Sequence, residues 1–205
     1  MKKNQLILIK GGSVFASKED FYNYLRQVEY NPYKKRKKWS EWLKNELCES
    51  FDFFEPLMPN KRWADYEAWK IWFDRVLEFV DKGVSSKLVL AGQSLGAGFL
   101  LKHLSQNNLL KKVDQLHLVS TAYKDNDKTG EKIGNFEVDL TKLEEVERQV
   151  KQIFMYHSKD DKTVPFEDGL YLKKYFKKVE FLEFEDRGHF SQAIFLELLE
   201  EIKRV

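Results

Sequence analysis

A chain of 205 residues, 42% hydrophobic and 33% charged, is long enough to bury one core without staples and too apolar for a disordered segment. Its net charge of +2 implies no strong global field, so composition favours neither nucleic acid nor an anionic membrane surface as a partner. The single cysteine, Cys48, excludes an intramolecular disulfide and suits the cytoplasm, and no apolar run has the length of a membrane span.

The first element is the apolar run "QLILI", Gln5 to Ile9, which ends at Gly11-Gly12. The two lysines before it imitate a secretory leader, but the apolar core stops at Lys10 and is too short for one. "SKEDFYNYLRQV" follows with Ser17 and Asp20 at capping-box spacing, which predicts a helix start. The basic cluster "KKRKK", Lys34 to Lys38, reads as a solvated loop leading into the apolar-periodic "WSEWLKNEL".

"FDFFEP", Phe51 to Pro56, is the second strand. Behind it lie Met58, Pro59 and Trp63, candidates for an apolar wall of a substrate cleft. "DYEAWKIWFDRVLEFVDKG" carries a helical stripe of Trp69, Trp72, Phe73, Val76, Leu77 and Val80, with Gly83 as its stop. The third strand, "KLVLA" (Lys87 to Ala91), runs into Gly92-Gln93-Ser94-Leu95-Gly96, and "GAGFLLKHL" continues as a helix.

The fourth strand is "QLHLVS", Gln115 to Ser120. The polar stretch Tyr123 to Glu137 then suggests a mobile loop or small lid. "QIFMYH", Gln152 to His157, precedes the loop "SKDDKTV" and a helix opening at Pro165. "VEFLEFE", Val179 to Glu185, precedes "DRGHFSQ", and "SQAIFLELLEEIKRV" predicts a closing amphipathic helix behind Ser191.

Short, near-continuous apolar strands alternating with helices predict one α/β domain over residues 1–205, with a mainly parallel sheet covered on both faces. Reactive groups in such folds gather beyond the carboxyl ends of the strands.

The stretch from Gly92 to Gly96 matches the G-x-S-x-G nucleophile elbow, in which a strained strand-to-helix turn needs glycines on either side of the serine. A serine hydroxyl reacts only when a base takes its proton and a third group orients that base. In elbow-bearing α/β folds the chain order is serine, acid, histidine. Asp160-Asp161 and His189 satisfy that order. Asp161, four residues before Pro165, is preferred to Asp160, which reads as a turn residue. His189 is preferred to His157, which precedes the acid. His103 and His117 read as structural. The oxyanion donors are expected to be the backbone N–H of Leu95 and one from the glycine turn, Gly12 or Ser13. Ser13 is also a candidate substrate contact with Met58 and Trp63.

These elements together resemble the α/β-hydrolases, in particular the small serine hydrolases grouped with retinoblastoma-binding protein nine. The resemblance runs through the glycine turn, "PLMPN", "GQSLG", "SKDDKTVPF" and "DRGHF". It implies a three-layer α/β/α sandwich with a six-stranded sheet lacking the first two strands of larger relatives. It also implies a triad of Ser94, Asp161 and His189. Two features depart from the group: Lys10 stands where many relatives carry histidine or proline, and the segment between the first two strands is longer and more basic. The expected activity is hydrolysis of a small carboxylic ester, thioester or related acyl bond, without metal or organic cofactor. The alternative is a hydrolase-fold protein that binds a protein partner and catalyses nothing.

Overall fold

The computed structural model describes residues 2–33 and 38–205; Lys34 to Arg36 and Lys37 of the basic cluster lie outside the described residues. Six strands form one sheet: β1 (Asn4–Ile9), β2 (Phe51–Phe54), β3 (Leu88–Gln93), β4 (Val113–Val119), β5 (Val150–Ser158) and β6 (Glu180–Phe184). Their order is β2-β1-β3-β4-β5-β6, and all five pairings are parallel. Each expected strand is present. The third runs two residues further than its apolar stretch and carries the chain to the residue before Ser94.

Alternation along the central strands builds two cores. Ile7, Ile9, Leu88, Leu90, Leu116 and Met155 face one side of the sheet. Leu6, Leu8, Val89, Ala91, Phe154 and Tyr156 face the other. On the first side pack α3 (Tyr66–Leu77), α4 (Leu95–Gln106), α5 (Leu143–Gln149) and α6 (Phe166–Lys173). On the second pack α2 (Trp39–Leu47) and α7 (Leu196–Lys203), which makes the three layers. α1 (Lys18–Gln27) buries no residue and opens on the expected capping box, with Ser17 Oγ accepting from Asp20 N–H. Among the described residues, no helix is long and apolar enough to cross a membrane.

Three local expectations are corrected, and one helix is added. The last helix starts at Leu196 rather than behind Ser191, because Phe190 and Phe195 are both turned into the core, stacked at 5.1 Å. The intervening residues therefore run as a loop. α3 ends at Leu77 with Glu78 as cap, so Gly83 stops nothing; its N–H binds the Asp81 carboxylate at 3.0 Å. Trp72 leaves the apolar stripe, lying 41% exposed with the Arg75 guanidinium 5.8 Å from its ring. α5 was not anticipated, since only Leu143 and Val146 of it bury.

α4 is buried nearly all round and packs so closely that two of its positions admit no side chain. A Cβ on Gly96 would strike the Ile9 carbonyl, and one on Gly98 would strike the Ala122 carbonyl, in both cases backbone that cannot swing away. Gly98 thus serves the approach of the helix to the loop after β4 rather than to the sheet itself. Gly98→Ala gains helix propensity of about 1 kcal/mol but overpacks a rigid contact. A net loss of about 2 kcal/mol is expected, read as a lower urea midpoint.

Candidate active site

Four loops converge beyond the carboxyl ends of β1, β3, β5 and β6, and Ser94 stands at their centre. It leaves β3 with φ 55° and ψ −125°, in the left-handed region that non-glycine residues rarely occupy. The turn is held from outside. Ser94 N–H donates to the Val119 carbonyl at 2.9 Å, while the Ser94 carbonyl accepts from Ala97, Gly98 and Ala122. Gly92 makes the turn possible, since a Cβ there would stand 2.5 Å from Ala97 Cα. Among the described residues the Ser94 hydroxyl has no hydrogen-bond partner, and it opens on a cleft of about 520 Å³ shared with His189.

His189 Nδ1 lies 2.9 Å from Asp161 Oδ2 and 3.2 Å from Oδ1. The Asp161 side chain is fully buried, and its carboxylate is surrounded by donors. Thr163 and Val164 N–H bind Oδ1 at 2.8 and 3.0 Å. The Ser120 hydroxyl donates to Oδ2 and also lies 3.0 Å from His189 Nδ1. Burial alone would push this carboxyl up. The His189 hydrogen bond and charge, the Ser120 hydroxyl and the Thr163 amide outweigh it and hold Asp161 below the ordinary carboxylate range. An ionised Asp161 accepts only, so the proton of the neutral imidazole sits on Nδ1 and leaves Nε2 free to accept one.

The remaining candidates separate cleanly. Asp160 does not touch His189. Its Oδ1 accepts from Ser158 Oγ at 2.6 Å and from Gly188 N–H at 2.8 Å, tying the acid loop to the histidine loop. His157 is buried, with Nε2 against the Val164 carbonyl at 2.9 Å and its ring packed on Gly169, so it holds the loop that carries Asp161. His117 lies between Tyr156 and Gln115 inside the sheet, and His103 lies within the α3–α4 core.

The backbone N–H groups of Leu95, next in sequence to the serine, and of Gly12, which lines the cleft, are unpaired among the described residues. Ser13 differs from the expectation for an oxyanion donor, because its N–H donates to the Lys61 carbonyl at 2.9 Å. Ser13 does line the cleft. Met58 and Trp63 do not. Met58 is buried in the core, and Trp63 joins an aromatic cluster, stacked on Phe15 and edge-on to Phe21. Their apolar character is spent on packing, and the wall expected of them is formed by Lys10, Lys61, Arg62 and Tyr24.

Several participants escaped the sequence reading. Gln93 Nε2 donates to the carbonyls of His189 at 3.0 Å and Phe190 at 3.1 Å, so the residue before the serine holds the histidine loop. Ser120, at φ 48°, sits at the carboxyl end of β4 between the serine strand and the acid strand. That strand end was the available signal for it. The segment 123–137 folds back on itself, with Ile133 N–H bound to Asp125 Oδ1 at 2.9 Å and Phe136 fully buried. It brings Glu131 to the cleft. Burial pushes the Glu131 carboxyl up, with Asp161 and Asp125 adding to the effect and His189 opposing it.

A second cleft, about 290 Å³, lies near the amino ends of β3 and β4 beside Leu88, His103 and Lys111. It is remote from the elbow. Among the described residues, no group of three or more His, Cys, Asp or Glu is placed to hold a metal ion.

No protein-family model and no curated protein sequence matches the chain. Solved structures do. The ydeN gene product of B. subtilis is 20% identical, with 98% of each chain covered and a TM-score of 0.74. Est1E from Butyrivibrio proteoclasticus, solved with ferulic acid, is 14% identical over 98% of this chain and 88% of that one, with a TM-score of 0.62. The meta-cleavage product hydrolase CumD from Pseudomonas fluorescens IP01 is 12% identical over 99% of this chain and 89% of that one, at 0.61. The chain has the α/β-hydrolase fold. At these identities the likeness extends to the fold, and chemistry must be argued from the site.

Proposed function

We propose that the protein is a serine hydrolase acting on a small carboxylic ester, thioester or related acyl bond, akin to the small serine hydrolases that its motifs resemble. The observation that carries this reading is a serine held at positive φ in the same cleft as a histidine whose Nδ1 is bound to a buried carboxylate. Proteins described as hydrolases share the fold, which supports it.

Ser94 Oγ attacks the acyl carbon while His189 Nε2 takes its proton. Asp161 keeps the imidazole in the Nδ1–H tautomer and stabilises the cation that forms. The oxyanion of the tetrahedral intermediate is received by the Leu95 and Gly12 N–H groups, which are already fixed before substrate arrives. His189 then returns the proton to the leaving oxygen or sulfur, and a water activated by the same nitrogen hydrolyses the acyl-enzyme. The strained serine conformation costs on the order of 1–3 kcal/mol, offset by the hydrogen bonds at both ends of the turn.

A fluorophosphonate probe tests the reading. The expected outcome is stoichiometric labelling of the native protein and no labelling of Ser94→Ala. A folded native protein that resists the probe would point instead to a scaffold that binds without catalysing.

A further inference from the structure

The cleft beside Ser94 is unusually cationic for a site that would receive a neutral acyl chain. Lys10, Lys61 and Arg62 all line it, and among the described residues none of the three forms an ion pair. Lys10 follows β1 immediately before the glycine turn, with Nζ 4.2 Å from the centre of the Trp39 ring. Arg62 donates to the Tyr24 hydroxyl at 3.3 Å, which leaves most of its fork of donors unused. Glu131 is the one carboxylate among the residues lining the cleft; Glu55, which does not line it, offsets part of the charge on Lys10 and Lys61.

His189 protonates the leaving group, and Glu131 interacts with it electrostatically. The turn that follows Lys10 lies directly against the reacting serine, where a Cβ on Gly11 would stand 3.1 Å from Ser94 Cβ, so the cations border the place where an acyl group would be held. An alkyl chain seated there would strip water from cations and return nothing, whereas a carboxylate would gain charge-assisted hydrogen bonds.

Resting on the serine-hydrolase reading, we infer that the substrate's acyl group ends in a carboxylate, as in a half-ester or half-thioester of a dicarboxylic acid, bound by Lys10, Lys61 and Arg62. Arg62 supplies a planar fork suited to the two oxygens, and Lys10 a point charge at the buried end. Desolvation pushes the Lys10 ammonium down to about 8, with Glu55 opposing and Lys61 and Lys38 adding to the effect. It is charged at neutral pH and ready to be neutralised by an arriving anion.

The test compares kcat/KM for the para-nitrophenyl half-ester of adipic acid with that for para-nitrophenyl hexanoate, which has the same chain length. The native protein is expected to prefer the half-ester by roughly tenfold or more. The preference should shrink with added salt and as pH rises through about 8, where Lys10 loses its proton. Arg62→Gln and Lys10→Met should each lower the ratio about tenfold, and turnover of the hexanoate certifies that a variant is folded. Arg62 is on an exposed loop, so its variant stands even if Lys10→Met does not fold. A native ratio at or below one, or an unchanged ratio in the folded variants, overturns the inference while the hydrolase reading survives. Failure to turn over either ester overturns that reading and this inference with it.

Discussion

Ser94→Ala is expected to lower kcat for para-nitrophenyl esters by roughly a millionfold, the loss seen when the nucleophile of a triad is removed. The variant should fold. Alanine tolerates the positive φ at Ser94 no worse than serine does, and the hydroxyl has no partner among the described residues to lose. Binding and the Leu95 and Gly12 amides remain, so a residual acceleration over water is also expected. Single-turnover kinetics on purified variant checks both parts. Retention of more than a few per cent of native kcat would remove Ser94 from the mechanism.

Asp161→Asn should be the second largest loss, about ten thousandfold in kcat with little change in fold. The physical reason lies in the donors already facing that carboxylate. Thr163 and Val164 N–H fix one oxygen as an acceptor, so an asparagine must turn its NH2 toward His189 Nδ1. The imidazole would then carry its proton on Nε2 and could not take one from Ser94. Asp160→Asn tests the alternative acid. Asp160 reaches the Gly188 amide and not the imidazole, so a loss of less than about a hundredfold, through a displaced histidine loop, is expected. Steady-state kinetics and urea unfolding of both variants separate catalysis from stability. The reverse ranking would transfer the acid role to Asp160.

The basic wall also bears on selectivity by charge, and it connects two departures noticed in the sequence. Lys10, which replaces the residue expected before the turn glycine, is not isolated. Lys61 and Arg62, from the loop after β2, stand beside it, and Lys38, at the end of the basic run, adds to the field on Lys10. The glycine turn thus brings the Gly12 amide, the proposed oxyanion donor, within two residues of a cation.

Much of this was legible in the residues themselves, and the reason is local. Strands buried on both faces must be apolar nearly throughout, so the four central ones announced themselves; the edge strands β2 and β6, largely unburied, still showed in their phenylalanines. The elbow is a backbone constraint that only small residues satisfy, so its glycines name the serine. Chain order around a parallel sheet then carried the search to the loops after β5 and β6.

What the sequence could not decide are the choices that depend on which strand ends are neighbours. Ser120 and Asp161 are 41 residues apart and Ser120 and His189 are 69 apart, and they meet because β4 lies between β3 and β5. Asp160 and Asp161 are adjacent in sequence, yet one turn points them at a glycine amide and at the imidazole respectively. Met58 and Trp63 were given to the cleft because apolar character does not say which surface will cover it, and packing drew them elsewhere. The amino-acid pattern determined the fold and the elbow turn, because each rests on neighbouring residues. The contacts of Asp161 and Ser120 with His189 and the charge of the cleft were decided by long-range strand order, which alone sets those side chains face to face.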